Sequence, residues 1–384
     1  MIYYLCKYVL EPLEGFELFR LASYISIRSI VAAMTAFCLI LFFGNRLIRL
    51  LYLRGARDTI HDYGFMDPES KRGTPTMGGI FIVGAVFISI LLWNDPANPF
   101  VQWVLAAMLW FGAVGFADDY LKIKHNDSLK GLSQITKLGL QGSFAIVFMI
   151  AYLSEPLSPL SAERVRLLEG ALNVTPGSYK FYLQIPFYKY PVLNLSWFYL
   201  PFGVFVILAI SNSVNFADGL DGLAIVPASL TAVVYMIFAY ITGNYIHSET
   251  FLFTHLAGSG EISIILAALV GAGLGFLWFN AYPAQVFMGD TGSMALGGVL
   301  AVISIMIKQE FLFILAGGIF VIEGASVLIQ EKIGINILGR RIFHRAPIHH
   351  NFQHLGIAET KVVVRFWIAG ILLALLSLAT IKIR

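Results

Sequence analysis

Apolar runs of membrane-spanning length recur along nearly the whole chain, and they leave it little choice of fold. The hydrocarbon core of a bilayer takes roughly 20 helical residues to cross. Inside it a backbone N–H or C=O has no water to bond, so a span must be a helix or part of a closed barrel. Ten such runs can be marked, at about 29–45, 78–94, 101–117, 138–154, 197–214, 223–242, 262–282, 291–307, 311–330 and 363–381. The fourth and eighth are the weakest, and several hold glycine, as membrane helices often do. Of the 384 residues 58% are hydrophobic and only 13% charged, which excludes an ordinary soluble domain. The expected fold is an all-α polytopic membrane protein of about ten transmembrane helices, with residues 1–384 forming a single integral membrane domain.

Lys7, Glu11, Glu14 and Arg20 interrupt the first apolar stretch, so no cleavable signal pattern is present. Residues 1–20 read as an interfacial helix. Cys38 falls inside the first span, which argues against a Cys6–Cys38 disulfide. A formal net charge of +3 is too small to point to nucleic acid. Tyr, Trp and Phe gather near the span ends, as an aromatic belt would.

Ten spans put both termini on one side of the membrane. The connections 46–77, 118–137 and 331–362, all on the other side, carry six, four and five Lys or Arg. Connections 215–222 and 283–290 share that side and carry none. The excess makes this face cytoplasmic by the positive-inside rule. Loop 155–196 is then extracytoplasmic, and its alternating stretch YKFYLQIPFYKY suggests a small β-hairpin.

Acidic clusters end several of these spans, all on the proposed cytoplasmic side. Ionisable groups at such depths are costly and mark functional sites. Asp118 and Asp119 close the third span, followed by Lys122, Lys124, Lys130 and Lys137. A carboxylate pair can bind Mg²⁺ or accept a proton, and lysines suit phosphate oxygens. The bland alternative is a span that simply ends in charge. NSVNFADGLDGLA sets Asn212, Asn215, Asp218 and Asp221 among glycines, residue types that read a base edge or sugar hydroxyls. Capping of the next helix would explain one Asp there, not four polar residues. Asn280 and FMGDTGS form a third group, in which Asp290 is either a helix N-cap, a metal ligand or both. HRAPIHHNFQHLG gathers His344, His349, His350 and His354. Structural zinc is one reading of them, poorly served without Cys; solvated loop histidines and recognition of a phosphorylated ligand are the others. KRGTPTMGG (71–79) is similar to a phosphate cradle but lacks the Walker spacing. Glu323, alone inside the ninth run, reads as buried against polar partners or as bending the helix, rather than as catalytic.

In this order, KRGTPTMGG, Asp118–Asp119, NSVNFADGLDGLA, FMGDTGS and APIHH resemble the phospho-N-acetylmuramoyl-pentapeptide-transferases, a family within the polyprenyl-phosphate N-acetylhexosamine-1-phosphate transferases. The resemblance runs from the N-terminus to the last span. It implies a bacterial inner-membrane enzyme with its active site facing the cytoplasm. Its substrates would be UDP-N-acetylmuramoyl-pentapeptide and undecaprenyl phosphate, its products lipid I and UMP, and its cofactor Mg²⁺. A homodimer is compatible with this reading. Carried over by motif, Asp290 resembles the Mg²⁺ ligand, Asp118 the residue that activates or positions the lipid phosphate, and Asp119 its partner. Gly219, Leu220, Asp221, Asn280 and Phe287 resemble the nucleoside pocket. Lys71, Thr76, Lys122, Lys137, Asn212, Asn215, Asp218, His349 and His350 resemble further substrate-binding positions. The chain departs from the family where PIHHHFE is usual, with Asn351 and Gln353 replacing the last His and the Glu. It also lacks the His of GPESH before Lys71. These changes touch contacts near the sugar and peptide, not the reaction class.

Two rivals remain open. A sister transferase using UDP-N-acetylglucosamine would share the Asp clusters but read differently at APIHH and KRGTPTMGG. An ion-coupled transporter would place its acids at mid-depth, whereas nearly all of these lie at one interface.

Overall fold

The computed structural model describes residues 1–6, 21–56, 73–125, 127, 130–168 and 174–383. All ten apolar runs are helical: α1 (Ile25–Leu53), α2 (Gly79–Trp93), α3 (Pro99–His125), α4 (Gln134–Leu153), α5 (Tyr199–Phe216), α6 (Ile225–Gly243), α7 (Glu261–Asn280), α8 (Gly289–Met306), the pair α9 (Phe313–Ala316) and α10 (Gly318–Leu328), and, after the short α11 (Ile348–His354), α12 (Glu359–Ala379). Eight of these helices are long and apolar enough to cross a membrane, and the protein is a multi-pass membrane protein. The two weakest runs of the sequence, α4 and α8, are among the eight.

Two runs depart from plain spans. α2 has only 15 residues. The ninth run breaks at Gly317 into α9 and α10 and ends in a π-wound turn, Ile329–Ile335. Of the expected interfacial helix, the turn Ile2–Tyr4 is described; residues 7–20 lie outside the described residues.

α8 is the axis of the bundle. In its apolar window 89% of residues are buried, against 22% for α1 at the periphery. α8 packs on α3, α5 and α2, while α7 packs on α1 and α6. The α3–α8 contact is close enough to exclude a side chain. A Cβ added at Gly115 would lie 2.1 Å from the Asp290 carbonyl oxygen. This approach brings the end of α3 against the start of α8, and with them Asp119 and Asp290.

The expected hairpin is present. β2 (Tyr182–Leu183) pairs antiparallel with β3 (Leu193–Asn194), with Leu183 opposite Leu193. A second ladder was not anticipated: β1 (Val165–Arg166) pairs antiparallel with β4 (His255–Leu256), tying loop 155–196 to the loop before α7. Two buried polar clusters hold this end together. Arg28 makes a bidentate pair with Glu261, at 3.0 and 2.6 Å, which also accepts from Asn94 Nδ2 and the Asp95 N–H. Just beyond α8, Lys308 donates to Tyr199 Oη at 2.7 Å and pairs with Glu310 at 3.3 Å. Burial pushes the Lys308 ammonium down to about 8, against the pull of Glu310.

A tight α3–α8 crossing makes a stability prediction. Gly115→Ala should destabilise by about 1–3 kcal/mol through overpacking. Gly139→Ala, with nothing within 4 Å of the new Cβ, should be neutral or slightly stabilising. Thermal inactivation midpoints in detergent compare the two; equal midpoints would contradict the close approach.

Candidate active site

Asp118 and Asp119 are adjacent in sequence but serve different partners. Successive helical residues point about 100° apart, and α3 uses this. Asp119 turns onto the first turn of α8. Its Oδ1 accepts the Asp290 N–H at 3.0 Å, and its Oδ2 accepts the Thr291 N–H at 2.9 Å and hydroxyl at 2.7 Å. The carboxylate thus satisfies donors that a helix N-terminus leaves unpaired. Asp290 was a candidate N-cap in sequence; here it sits inside the first turn, and the capping carboxylate comes from α3.

Asp118 turns to the lysines. Its Oδ1 accepts the Leu132 N–H at 2.7 Å, and its Oδ2 lies 2.7 Å from Lys122 Nζ and 3.1 Å from Lys137 Nζ. The same ammonium groups reach Asp290 Oδ2, at 3.1 and 2.8 Å. Asn215 Nδ2 donates to Asp290 Oδ1 at 2.8 Å and to Ser293 Oγ at 2.9 Å. Asp118, Asp119 and Asp290 each offer an oxygen within 4.8 Å of the others. Three hard carboxylate donors at this spacing fit a divalent cation such as Mg²⁺. All three are engaged: Asp119 by donors of α8 itself, Asp118 and Asp290 each through one oxygen shared between the two lysine ammonium groups.

Asp218 belongs to the same group. Burial, and after it the charges of Asp290, Asp119 and Asp221, hold its carboxyl well above the ordinary carboxylate range, opposed by a hydrogen bond from the Gly289 N–H. Gly289 itself has φ +72°, which lets the chain turn into α8 without a side chain between Asp119 and Thr76. The α6 N-cap is Ala224, so neither Asp218 nor Asp221 caps that helix.

The other expected residues assemble around this centre. TPTMGG runs beside FMG: Phe287 N–H donates to Pro75 O, and Gly78 and Gly79 N–H donate to Phe287 and Met288 O, each at 2.8 Å. Thr76 is thereby buried beside Gly289. Lys71 lies outside the described residues. Asn280 is buried and spends its amide on backbone, accepting from Gly222 N–H at 3.0 Å and donating to Val286 O at 2.9 Å. Asp221 Oδ2 accepts the Ala284 N–H at 3.0 Å. Leu220 is buried beneath an exposed Gly219. Asn212 is set apart from the cluster, bonding Gln141 on α4 at 2.7 Å.

Sequence reasoning missed two contributors and the partner of a third. Glu359 and Trp367, both on α12, brace the Asp221–Gly222 turn through the Asp221 N–H and the Gly222 carbonyl. Glu323, expected to be buried against polar partners, has His349 as its partner: Oε2 lies 3.0 Å from His349 Nδ1, and both side chains are fully buried. A carboxylate only accepts, so the imidazole proton sits on Nδ1. His349 Nε2 then faces Gly219 with no hydrogen-bond partner among the described residues, and a Cβ at Gly219 would come within 2.3 Å of it. His350 Nδ1 pairs with Gln353 Oε1 at 2.9 Å, and Asn351 Oδ1 accepts the His344 N–H at 3.0 Å. Asn351 and Gln353 therefore shape this loop through hydrogen bonds to its histidines.

Comparison with known proteins identifies the family. The family model for glycosyl transferase family 4 matches residues 101–308, which include Asp118, Asp119, Lys122, Lys137, Asn215 and Asp290. The phospho-N-acetylmuramoyl-pentapeptide-transferase signature 1 matches residues 71–83. The phospho-N-acetylmuramoyl-pentapeptide-transferase of Desulfovibrio desulfuricans is 42% identical over 376 residues, covering 98% of this chain and 99% of the relative. That of Desulfotalea psychrophila is 44% identical over 385 residues, and one from Rhodopseudomonas palustris 39% over 385, each covering 100% of both chains.

Two outcomes test this arrangement. Asp119→Asn sets an amide donor against the α8 donors, so it should lower the thermal midpoint by the equivalent of about 0.5–2 kcal/mol as well as reduce activity. An unchanged midpoint would remove the capping role. Glu323→Leu should leave His349 unsatisfied, destabilising the fold by about 1–3 kcal/mol and lowering kcat/KM, with Glu323→Gln retaining more activity. A Glu323→Leu variant as active as wild type would show that the pair does not orient His349.

Proposed function

The chain belongs to glycosyl transferase family 4 and, within it, to the phospho-N-acetylmuramoyl-pentapeptide-transferases, and from that premise we propose that it transfers phospho-N-acetylmuramoyl-pentapeptide from its UDP conjugate to undecaprenyl phosphate, releasing UMP and forming lipid I. The observation that carries this reading is the convergence of Asp118, Asp119 and Asp290 with Lys122, Lys137 and Asn215 at one end of the bundle.

In this reaction an oxygen of the lipid phosphate bonds to the β-phosphorus of the UDP-sugar. The bond from that phosphorus to the bridging oxygen breaks, and UMP leaves with the electron pair. Asp118 is assigned to position the lipid phosphate and hold its proton, because it lies buried at the end of α3 with the two lysines beside it. Lys122 and Lys137 are assigned to exchange their carboxylate partners for phosphate oxygens, supplying countercharge in line with the displacement. Asp290, oriented by Asn215, is the proposed Mg²⁺ ligand. A divalent cation held there would supply charge neutralisation at the pyrophosphate and so make UMP a better leaving group. Gly219, Leu220, Asp221, Asn280 and Phe287 are proposed to form the uridine pocket, with Asn280 acting by holding the Gly222 and Val286 backbones in register. His349 Nε2, oriented by Glu323, is proposed to meet the substrate over Gly219.

The proposed orientation places this end in the cytoplasm of a bacterial inner membrane. The Lys- and Arg-rich connections lie at that end, and a UDP-sugar is a water-soluble nucleotide that arrives from the aqueous side.

Purified protein with undecaprenyl phosphate and Mg²⁺ should form a lipid-linked product from UDP-N-acetylmuramoyl-pentapeptide and not from UDP-N-acetylglucosamine. The reverse preference would assign the chain to the sister activity. Asp118→Asn should lower the single-turnover rate by about 10²–10⁴-fold while leaving affinity for a non-reactive UDP-sugar analogue within a few-fold of wild type. Weakened nucleotide binding with a normal single-turnover rate would move Asp118 into the nucleotide site.

A further inference from the structure

The hairpin β2–β3 has two unlike faces. One is locked into the protein: Leu183, Gln184 and Pro186 are buried, and Gln184 Oε1 accepts from Tyr179 Oη at 3.2 Å and from Gln309 Nε2 at 3.4 Å. Gln309 adjoins the buried Lys308–Glu310 pair, so the hairpin rests on the polar cluster just past the C-terminus of α8. Asp290 and Met306 are at opposite ends of α8; at 1.5 Å per residue they are about 24 Å apart. The hairpin therefore lies at the far end of the bundle from the acidic site.

The other face is apolar and exposed. Phe187, Tyr188, Tyr190 and Leu193 line the tip and outer strand, and Trp197 and Phe198 follow at 72% and 71% exposure. Phe187 sits at φ +74°, a backbone conformation a bulky residue rarely adopts. A soluble surface would not carry so continuous an apolar patch without a partner. Its chemistry and position single out one. Trp197 and Phe198 lead directly into α5, whose exposed Phe205 belongs to the outer surface of a membrane-spanning helix. The patch thus continues the lipid-facing surface past the end of the span. Tyr and Trp, each with an apolar body and a polar tip, are the side chains enriched at the headgroup level. From Tyr182 to Phe198 the sequence holds no acid and a single cation, Lys189, whose Nζ is 5.0 Å from the Tyr190 ring centroid. A lysine with an apolar stem among aromatics suits anionic phosphate at a bilayer surface.

We propose that the hairpin Tyr182–Asn194 and the turn Ser196–Phe198 are seated in the headgroup–acyl boundary of the leaflet opposite the acidic site, anchoring that end of the bundle to the bilayer. In this arrangement loop 155–196 is not wholly an aqueous loop: its second half lies along the membrane surface.

Nitroxide labelling tests the proposal. Tyr188→Cys and Leu193→Cys, each in a Cys6→Ser/Cys38→Ser background, are reconstituted in vesicles of phosphatidylethanolamine and phosphatidylglycerol. Phe205→Cys serves as the lipid-facing reference and Glu163→Cys as the exposed-loop reference. The ratio of collision rates with oxygen and with a water-soluble nickel chelate at 188 and 193 should fall close to that at 205 and well above that at 163. Ratios equal to that at 163 would overturn the proposal. So would spin–spin broadening at 188 or 193 that disappears on dilution with unlabelled protein, which would assign the face to a second copy of the chain. Reading two positions keeps the result independent of any one variant's folding, and neither position belongs to the proposed transferase site.

Discussion

The carboxylate of Asp119 on the first turn of α8 is the interaction on which the rest of the site depends. It accepts from the Asp290 and Thr291 amides and from the Thr291 hydroxyl, so α3 and α8 are joined at the backbone of the residue proposed to hold the metal. The contact forms because Gly115 lets the two helices meet without a side chain between them. Asp290 is consequently placed by main-chain hydrogen bonds, a stiffer support than side-chain packing alone.

The same device recurs around the site. Asn280 and Asp221 spend their side chains on the backbones of Gly222, Val286 and Ala284. Thr76 is held by a ladder between TPTMGG and FMG. Glu323 orients His349 from within the bundle. Preorganisation of this kind matters for phosphoryl transfer, where positioning and electrostatic stabilisation supply nearly all of the catalysis. Most of the polar groups sit on the ends of helices, with Thr76, Asp218 and Asp221 in the connections between them, and the buried contacts keep those connections in register.

The spans were readable because apolar runs in a bilayer have so few structural options. A window of hydropathy could not see the Gly317–Gly318 interruption, which divides the ninth run without lowering its apolar content. The β1–β4 ladder was also invisible, since it joins two dipeptides from separate loops without any alternating pattern. The acids were readable as a candidate site, but their division of contacts was not. Asp118 and Asp119 look like one pair on paper, and only the helical turn between neighbours sends one to the lysines and the other to α8. Glu323 carried the general signal of an intramembrane acid. Its partner, His349, is 26 residues away, and nothing in the spacing links them.

The cap on α8 has a further consequence. Helix N-termini commonly serve proteins as ready-made anion holes, with free amides and a favourable dipole. In this chain that hole is filled from within by the Asp119 carboxyl, so the helix amides are spent on Asp119 before any substrate arrives. An incoming diphosphate meets no vacant amide cradle at α8 and must draw its countercharge from side chains such as Lys122 and Lys137. Both of these lie at 18–28% side-chain exposure and already bridge Asp118 and Asp290. Ligand entry at such a centre is an exchange of one set of anions for another across two ammonium groups, a trade whose balance shifts with ionic strength and whose cost is set by the carboxylates left behind.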